Sequence, residues 1–201
     1  MDVSPVTLEG QLVRLEPLKP SHRDALFAAA SDGELWNSDL TIVPASLEAT
    51  EGYIREALEG KDKGIYLPFV IVHKPTERVV GTTRYRAITP PHRRVEIGST
   101  WLSASAQRTG INTESKLLLL EHAFEQLECL RVEFLTDVLN VQSRAAIQRL
   151  GATFEGVFRA HMVMPNGRSR DSACFSIIAS EWPDIRHRLK SRLSSGTEAK
   201  L

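Results

Sequence analysis

The strongest constraint on the fold is a strand, a helix and a second strand that follow one another between residues 95 and 137. Residues 95–102 and 131–136 are extended runs, and the apolar residues of segment 113–127 recur at the three- and four-residue spacing of a helix. Because the helix carries the chain back across the sheet, the two strands are predicted to lie parallel.

The segments on either side of this crossover favour antiparallel pairing. Further strands are predicted at residues 11–18, 68–73, 78–85, 153–162 and 170–178. Helices are predicted at residues 21–32, where Ser21 and Asp24 resemble a capping box, and at 46–59, 140–150 and 181–193. Gly60 is expected just beyond the second helix. The fold class is therefore α/β (α+β), with a mixed, mostly antiparallel sheet of about seven strands and helices on both faces.

Composition narrows the class of protein. The 201 residues suit one domain, and 25 Lys and Arg balance 25 Asp and Glu, so no net charge draws the chain to nucleic acid or to an acidic membrane. No window offers a membrane span or a signal peptide. Cys129, Cys174 and the histidines lack metal-ligand spacing, and both cysteines are predicted to be buried thiols. We expect a cytoplasmic protein with no metal, no direct nucleic-acid partner and no membrane partner.

The densest chemical signal is residues 101–113, which leave a strand, cross a small polar loop and enter an apolar helix. Such a loop directs free backbone N–H groups and the positive end of a helix dipole at one point, which suits a diphosphate. Gly110 allows close approach of the backbone. The alternative is an ordinary strand-to-helix loop with Asn112 or Thr113 as the cap.

The loop resembles the acetyl-CoA loop of the Gcn5-related N-acetyltransferases (GNAT), Gln/Arg-x-x-Gly-x-Gly/Ala. The run Gln107-Arg108-Thr109-Gly110-Ile111-Asn112 departs from it only at Asn112, which tolerates left-handed backbone angles. Leu150-Gly151-Ala152 and the Glu-Gly-Val-Phe-Arg run at 155–159 resemble the closing segment of the family. The resemblance is to the group that acetylates N-termini of ribosomal proteins (RimJ/RimL-like). It implies a GNAT domain at residues 8–182, followed by a C-terminal helix and flexible tail at 183–201.

The resemblance also implies where acetyl-CoA binds. The strand before the loop splays from its parallel neighbour, and the thioester and pantetheine enter the gap. The implied cofactor-binding residues are Trp101, Leu102, Gln107, Arg108, Thr109, Gly110, Ile111, Asn112, Thr113 and Asn140. Ser143 stands where a hydroxyl donates to the departing CoA sulfur. The alternative is that Asn140 is only a helix N-cap with Ser143 at its third position.

Two further groups of residues are assigned roles in catalysis and acceptor binding. Glu96 is the candidate base that takes the amine proton, unless it is an exposed strand residue paired with Arg84 or Arg94. Leu102 is the expected oxyanion donor. Trp36, Asp39 and Arg84 are candidates for the acceptor site, although Trp36 could simply cover the core. The basic stretch Arg84, Arg86, His92, Arg93 and Arg94 is either a solvated hairpin or a clamp for an acidic acceptor or the 3′-phosphate of CoA.

The expected function is acetyl transfer from acetyl-CoA to a primary amine, either a protein N-terminus or a small molecule, by direct attack. No cysteine lies in the candidate site, so a covalent intermediate is not expected. The family resemblance implies a homodimer. The alternatives are a succinyl- or other acyl-CoA transferase, with Arg84 or Arg86 facing the acyl end, and a non-catalytic CoA-binding module.

Overall fold

The computed structural model describes residues 1–195, so residues 196–201 of the predicted tail lie outside the described part of the chain. Within residues 1–195 the strands are β1 (Leu8–Glu9), β2 (Val13–Pro17), β3 (Leu67–His73), β4 (Arg78–Thr89), β5 (Arg94–Leu102), β6 (Arg131–Asp137), β7 (Thr153–Val163) and β8 (Ser169–Ile178). The α-helices in the same residues are α1 (Arg23–Ser31), α2 (Leu47–Asp62), α3 (Gly110–Glu121), α4 (Val141–Leu150) and α5 (Trp182–Ser194).

The strands form one sheet in the order β1-β2-β3-β4-β5-β6-β8-β7. The β5–β6 pair is parallel and the other neighbours are antiparallel, which confirms the predicted mixed sheet with one parallel pair. The described sheet has eight strands rather than about seven, because β1 was not predicted. It consists of two residues that pair with β2, and two residues are too few to show an alternating pattern.

Helices cover both faces of the sheet, as predicted. On one face, α3 and α5 pack on a core that contains Phe69, Tyr85 and Phe175. On the other face, α1 and α2 pack on a second core, with Leu26 and Ile54 against the sheet. Because side chains alternate along a strand, consecutive residues of β4 and β5 reach different faces.

Several predicted helix limits were wrong for identifiable reasons. Helix α2 continues past Gly60, so this glycine does not mark its end. Residue 60 is a glycine because the ring of Tyr66 packs where a side chain would project; a Cβ at Gly60 would lie 2.0 Å from Tyr66 Cδ2. Helix α1 begins at Arg23 without the predicted Ser21 capping box. A 3-10 turn at Pro20–His22 precedes it, with the Lys19 amide donating to His22 Nδ1 at 3.1 Å. Helix α5 extends to Ser194, and the predicted domain limits stay a prediction.

Candidate active site

The parallel strands β5 and β6 separate part-way along their length. Their pairing is confined to Arg94 with Arg131, Val95 with Val132 and Glu96 with Glu133, although β5 continues to Leu102 and β6 to Asp137. Beyond Glu96, the backbone groups of β5 and β6 that face each other therefore form no strand-to-strand hydrogen bonds. This opening is the splayed gap that the family resemblance implies for the pantetheine arm.

A bulge in β5 accompanies the separation. Thr82 of β4 pairs with Trp101 and Arg84 pairs with Gly98, so β5 has one more residue than β4 over the same stretch. Ser99, inside this stretch, has a φ of 48°. An extra residue bends the strand that carries it and increases its twist, which accounts for the departure of β5 from β6.

The loop that follows β5 leads directly into α3. Gln107 Nε2 donates to the Leu102 carbonyl at 3.0 Å, and Thr109 Oγ1 donates to the Ala106 carbonyl at 2.7 Å, so the loop is fixed by its own side chains. Helix α3 begins at Gly110, earlier than predicted, and its N-cap is Thr109 rather than Asn112 or Thr113; Thr109 Oγ1 accepts from the Ile111 amide. The first-turn N–H groups of a helix have no intrahelical acceptor and bind anions.

The departure from the family motif at Asn112 does not fall on the left-handed residue of the loop. Asn112 lies within the first turn of α3, and the left-handed residue of the loop is Arg108, with a φ of 60°. The asparagine side chain is thus not needed to reach an unusual backbone angle.

A cavity of about 750 Å³ borders the loop on the side of α1 and the β3–β4 turn, with Asp32, Arg78 and Arg108 in its wall.

The two strand residues assigned to the thioester are buried. Trp101 is on the α1/α2 face of the sheet, near the ring of Tyr53, and its indole N–H has no partner among the described residues. Leu102 lies in the α3 core. Gly81 of β4 allows this close pairing, since a Cβ there would lie 2.1 Å from the Trp101 carbonyl oxygen.

The far side of the gap is formed by the start of α4. Asn140 Oδ1 accepts the Ser143 amide at 2.9 Å, so Asn140 is the helix N-cap that the alternative interpretation described. That bond uses the carbonyl of the side chain and leaves its NH₂ group available. The Ser143 hydroxyl donates no hydrogen bond within residues 1–195, so it too is available to a ligand. The predicted roles of both residues stay predictions.

Glu96 lies at the point where β5 and β6 begin to separate. Its side chain is buried, and burial raises the pKa of its carboxyl group, with a further increase from Glu133 and opposing effects from Arg86 and Arg170. It pairs with neither Arg84 nor Arg94, which bind Glu56 and Glu133; the nearest ion-pair atom is Arg86 Nε, 3.8 Å from Glu96 Oε1.

Gly98 makes room for the Glu96 carboxylate. A Cβ on Gly98 would lie 2.7 Å from Glu96 Oε1 and 2.8 Å from Arg86 Cδ. The buried carboxylate and the arginine therefore occupy the space that a side chain would fill. A raised pKa in a cleft is typical of a group that exchanges protons with a substrate.

The three residues predicted to bind the acceptor, Arg84, Trp36 and Asp39, all make contacts within the protein itself. The Arg84 guanidinium is buried, bonds to Glu56 Oε2 at 2.8 Å, and lies 5.0 Å from the ring centres of both Tyr53 and Tyr66. It is therefore held by the protein rather than presented to the cleft. Trp36 stacks on Phe27 at 6.3 Å and packs against the α1/α2 core, which agrees with the covering role. Asp39 contributes its carbonyl to Arg168 at 3.0 Å.

Sequence reasoning missed the polar residues of β6, β7 and β8 that share the face of Glu96. These are Asp137, His161 and Arg170, with Arg168 just before β8. Arg168 pairs with the buried carboxylate of Asp137, and His161 Nδ1 lies 3.0 Å from Ser172 Oγ. The period-two pattern Glu133, Leu135, Asp137 and the arginines at 168 and 170 were the available signals.

The splayed strands, the loop that leads into the N-terminus of α3 and the buried acid are the features that the GNAT resemblance implies. The Acetyltransferase (GNAT) domain family matches residues 13–153, and the chain belongs to this family.

Several known proteins are similar to it. A GCN5-related N-acetyltransferase from Brucella melitensis superposes with a TM-score of 0.87 at 33% identity, over 96% of this chain and 90% of that one. A Bacillus subtilis (strain 168) protein named "Putative ribosomal N-acetyltransferase YdaF" is 35% identical over 91 residues, which are 45% of this chain and about half, 49%, of that protein. Mycobacterium smegmatis RimJ, in complex with CoA-disulfide, shares the fold with a TM-score of 0.80 at 23% identity, over 93% of this chain and 94% of that one.

Neither a metal centre nor a membrane span is found in the part of the chain that the structure describes. Within residues 1–195, no cluster of three or more His, Cys, Asp and Glu side chains could hold a metal ion. In the same residues, no helix is both long and apolar enough to cross a membrane.

A buried lysine links α3 to the bulged part of the sheet. Lys116 Nζ lies 2.6 Å from Thr100 Oγ1 and 3.3 Å from Thr83 Oγ1, and no acidic side chain pairs with it among the described residues. Burial lowers its pKa to about 7. The amine therefore lies between the α3 helix and the strands that form the gap.

The Lys116→Met variant is expected to unfold at a higher temperature than the wild type, and more so at low pH. The pKa of this lysine is near 10.5 in the unfolded chain and about 7 in the folded protein. Between these two pH values the unfolded chain binds the proton and the folded protein does not, so wild-type stability falls as the pH falls through this range. The gain should be small near pH 10, grow toward about pH 7 and stay constant below it. Thermal unfolding curves across this range measure it, and a gain independent of pH would contradict the expectation.

Proposed function

We propose that this protein transfers the acetyl group of acetyl-CoA to a primary amine. The observation that carries the proposal is the position of the buried acid Glu96 at the point where the parallel strands separate. Membership of the GNAT family and the names of its relatives support the same reaction.

The geometry fits the binding of acetyl-CoA in the splayed gap. The backbone at Trp101 and Leu102 would pair with the pantetheine arm, whose amides need such donors and acceptors. The diphosphate would lie against the first turn of α3 and the loop from Gln107 to Thr113. Asn140 would reach the arm with its free NH₂ group.

The reaction proceeds by direct attack of the amine. The amine nitrogen bonds to the thioester carbon, the carbon–sulfur bond breaks, and the amine proton passes to Glu96. The backbone N–H of Leu102 stabilises the oxyanion, and the Ser143 hydroxyl donates a proton to the departing sulfur, after which solvent restores both groups. Burial raises the pKa of Cys129 to about 11 and that of Cys174 as well, so neither thiol is a ready nucleophile for a covalent intermediate.

The acceptor is an amine on a protein or a small molecule, and the name of the Bacillus relative, a putative ribosomal N-acetyltransferase, favours an acceptor that belongs to the ribosome. A homodimer is compatible with the exposed edge strand β7, which carries the exposed side chains Val157 and Phe158. The dimer and a cytoplasmic location stay predictions.

Transfer of a carboxylate-bearing acyl group, such as succinyl, is a second candidate. Arg86 borders Glu96 and is only partly buried, so it could face the acyl end. Arg84 is the less suitable of the two, because it already binds Glu56 and lies against two tyrosine rings, although its Nε has no hydrogen-bond partner among the described residues.

Calorimetric titration with acetyl-CoA, succinyl-CoA and CoA tests the proposed donor. The wild type is expected to bind acetyl-CoA, and Gly110→Trp to weaken binding by about 100-fold, because an indole at the first residue of α3 would occupy the diphosphate position. Gly52→Trp is the matched control, since a Cβ there meets only the tip of Arg55 at 3.8 Å. Equal affinities of the two variants would contradict this binding mode, and tighter binding of succinyl-CoA would favour the second candidate.

A further inference from the structure

Positive charge surrounds the candidate base. Arg86 of β4 and Arg170 of β8 both interact electrostatically with the Glu96 carboxyl group, and Arg168, from the turn before β8, interacts with Arg170. His161 of β7 faces the same region, because both Arg170 and Arg86 lower its pKa after the effect of burial.

The arginines of this face differ in how well they are neutralised. Arg168 pairs with Asp137, and Arg94 pairs with Glu133. Arg170 instead donates its Nε to the neutral hydroxyl of Ser172 at 3.2 Å, and no carboxylate lies within ion-pair distance of it in residues 1–195.

Arg86 is likewise incompletely paired. Its one carboxylate contact among the described residues is Glu96, at 3.8 Å, which is too long for a hydrogen bond. Glu96 is also the group that must accept a proton, and protonation would remove even this partner. The Arg86 guanidinium also lies over the ring of Tyr66, 5.9 Å from its centre.

The electrostatics agree with an excess of positive charge. Burial lowers the pKa of Arg170. The charges of Arg86 and Arg168 lower this pKa further, and the opposing effects of Asp137 and Glu96 do not restore it. A half-buried guanidinium in this state gains most from an added anion, and the planar guanidinium matches a carboxylate with two hydrogen bonds.

We propose that Arg86 and Arg170 bind a carboxylate of the acceptor close to its reacting amine, so that the preferred substrates are amines that carry a nearby carboxylate. This inference rests on the proposed function and adds the chemical class of the acceptor to it. The positive field also disfavours an ammonium ion, which keeps the acceptor nitrogen neutral for attack. The arginines thus select the acceptor and help to prepare it.

Paired acceptors test the inference. Peptide amides that begin Ser-Glu and Ser-Gln differ only in the side-chain carboxylate, and the α-amides of glutamate and glutamine provide the same comparison for small amines. The wild type is expected to have a kcat/KM about tenfold or more higher for the acidic member of a pair, as a charge-assisted contact at each arginine would give.

Arg170→Gln is expected to reduce this preference to about twofold or less, because the rate with the acidic acceptor should fall more than the rate with the neutral one when the anion contact is lost. Arg170→Lys should restore part of it. Arg23→Gln is the matched control, since Arg23 is exposed on α1 and pairs with its neighbour Asp24. Unchanged melting temperatures would exclude misfolding as the cause.

Each outcome has a distinct meaning. Equal rates for acidic and neutral acceptors in the wild type would overturn the inference and leave the proposed function intact. A preference for succinyl-CoA over acetyl-CoA that Arg170→Gln abolishes, with no preference among acceptors, would place the carboxylate on the donor and also overturn it. No transfer to any amine would refute the proposed function and the inference with it.

Discussion

Glu96→Gln is expected to lower kcat/KM for acetyl transfer by about 10²- to 10⁴-fold, the usual contribution of a positioned general base. The amide is nearly isosteric with the carboxylate, so the space beside Gly98 stays filled and Arg86 keeps a polar neighbour. Affinity for acetyl-CoA should be unchanged, because Glu96 lies near the start of β5, whereas the loop that would hold the diphosphate follows the end of this strand at Leu102.

The pH dependence of the same variant separates a base from a merely structural acid. In the wild type, kcat/KM should rise with pH as Glu96 loses its proton, and this rise should lie above the ordinary range of a glutamate because burial raises its pKa. In Glu96→Gln that rise should be absent. Release of CoA thiol, followed at saturating acetyl-CoA across the pH range, measures both effects.

Glu128→Gln is a suitable control, since Glu128 is an exposed acid whose ion pair is with Arg93, away from the gap. Its activity should match that of the wild type. If Glu96→Gln retained full activity and the same pH profile, Glu96 would not be the base. Full affinity for acetyl-CoA with no transfer by the wild type to any amine would instead favour the non-catalytic module.

The order of elements was predictable because periodicity, prolines and glycines are local signals. The crossover of β5, α3 and β6 was therefore placed correctly, whereas the two-residue β1 carried no pattern. Gly60 was misplaced because a glycine that ends a helix and one that admits a neighbouring ring have the same sequence signature. The reason for this glycine is Tyr66, a contact that only the folded chain defines.

The site was predictable where the motif is continuous and less so where partners come from other strands. The loop after β5 leads into a helix as expected, although α3 begins at Gly110 rather than at Thr113. The partner of Glu96 could not be predicted, because the bulge at Ser99 changes which residue of β4 faces which residue of β5. Arg170 was missed because its position near Glu96 depends on the antiparallel pairing of β8 with β6, which no local sequence signal specifies.

Glu114→Ala is expected to cause the largest loss of stability of any single substitution considered. The Glu114 carboxylate is buried and accepts the backbone N–H groups of Gln11, Leu12 and Val13 at 2.9, 2.7 and 2.7 Å. Gly10 leaves space for it, since a Cβ there would lie 2.5 Å from Glu114 Cδ. The side chain thus joins α3 to the start of β2.

Removing this carboxylate leaves three backbone donors without their acceptor, of which the Val13 amide is buried and the Gln11 and Leu12 amides are partly buried. Unsatisfied buried groups cost about 1–3 kcal/mol each, and partial hydration reduces the sum, so the free energy of unfolding should fall by about 3–5 kcal/mol. For a chain of this length that corresponds to a decrease of about 10 °C in melting temperature. The stability of Glu114→Gln should lie between that of Glu114→Ala and that of the wild type, because one acceptor oxygen remains.

Glu121→Ala provides the matched control on the same helix. Glu121 is more exposed, and its partners are the surface side chains Arg186 and Lys190, so its loss should cost less than about 1 kcal/mol. Thermal and denaturant unfolding of the two variants measure the difference. A Glu114→Ala protein as stable as Glu121→Ala would show that the amides of residues 11–13 find water or other acceptors, and that α3 is positioned by its apolar contacts alone.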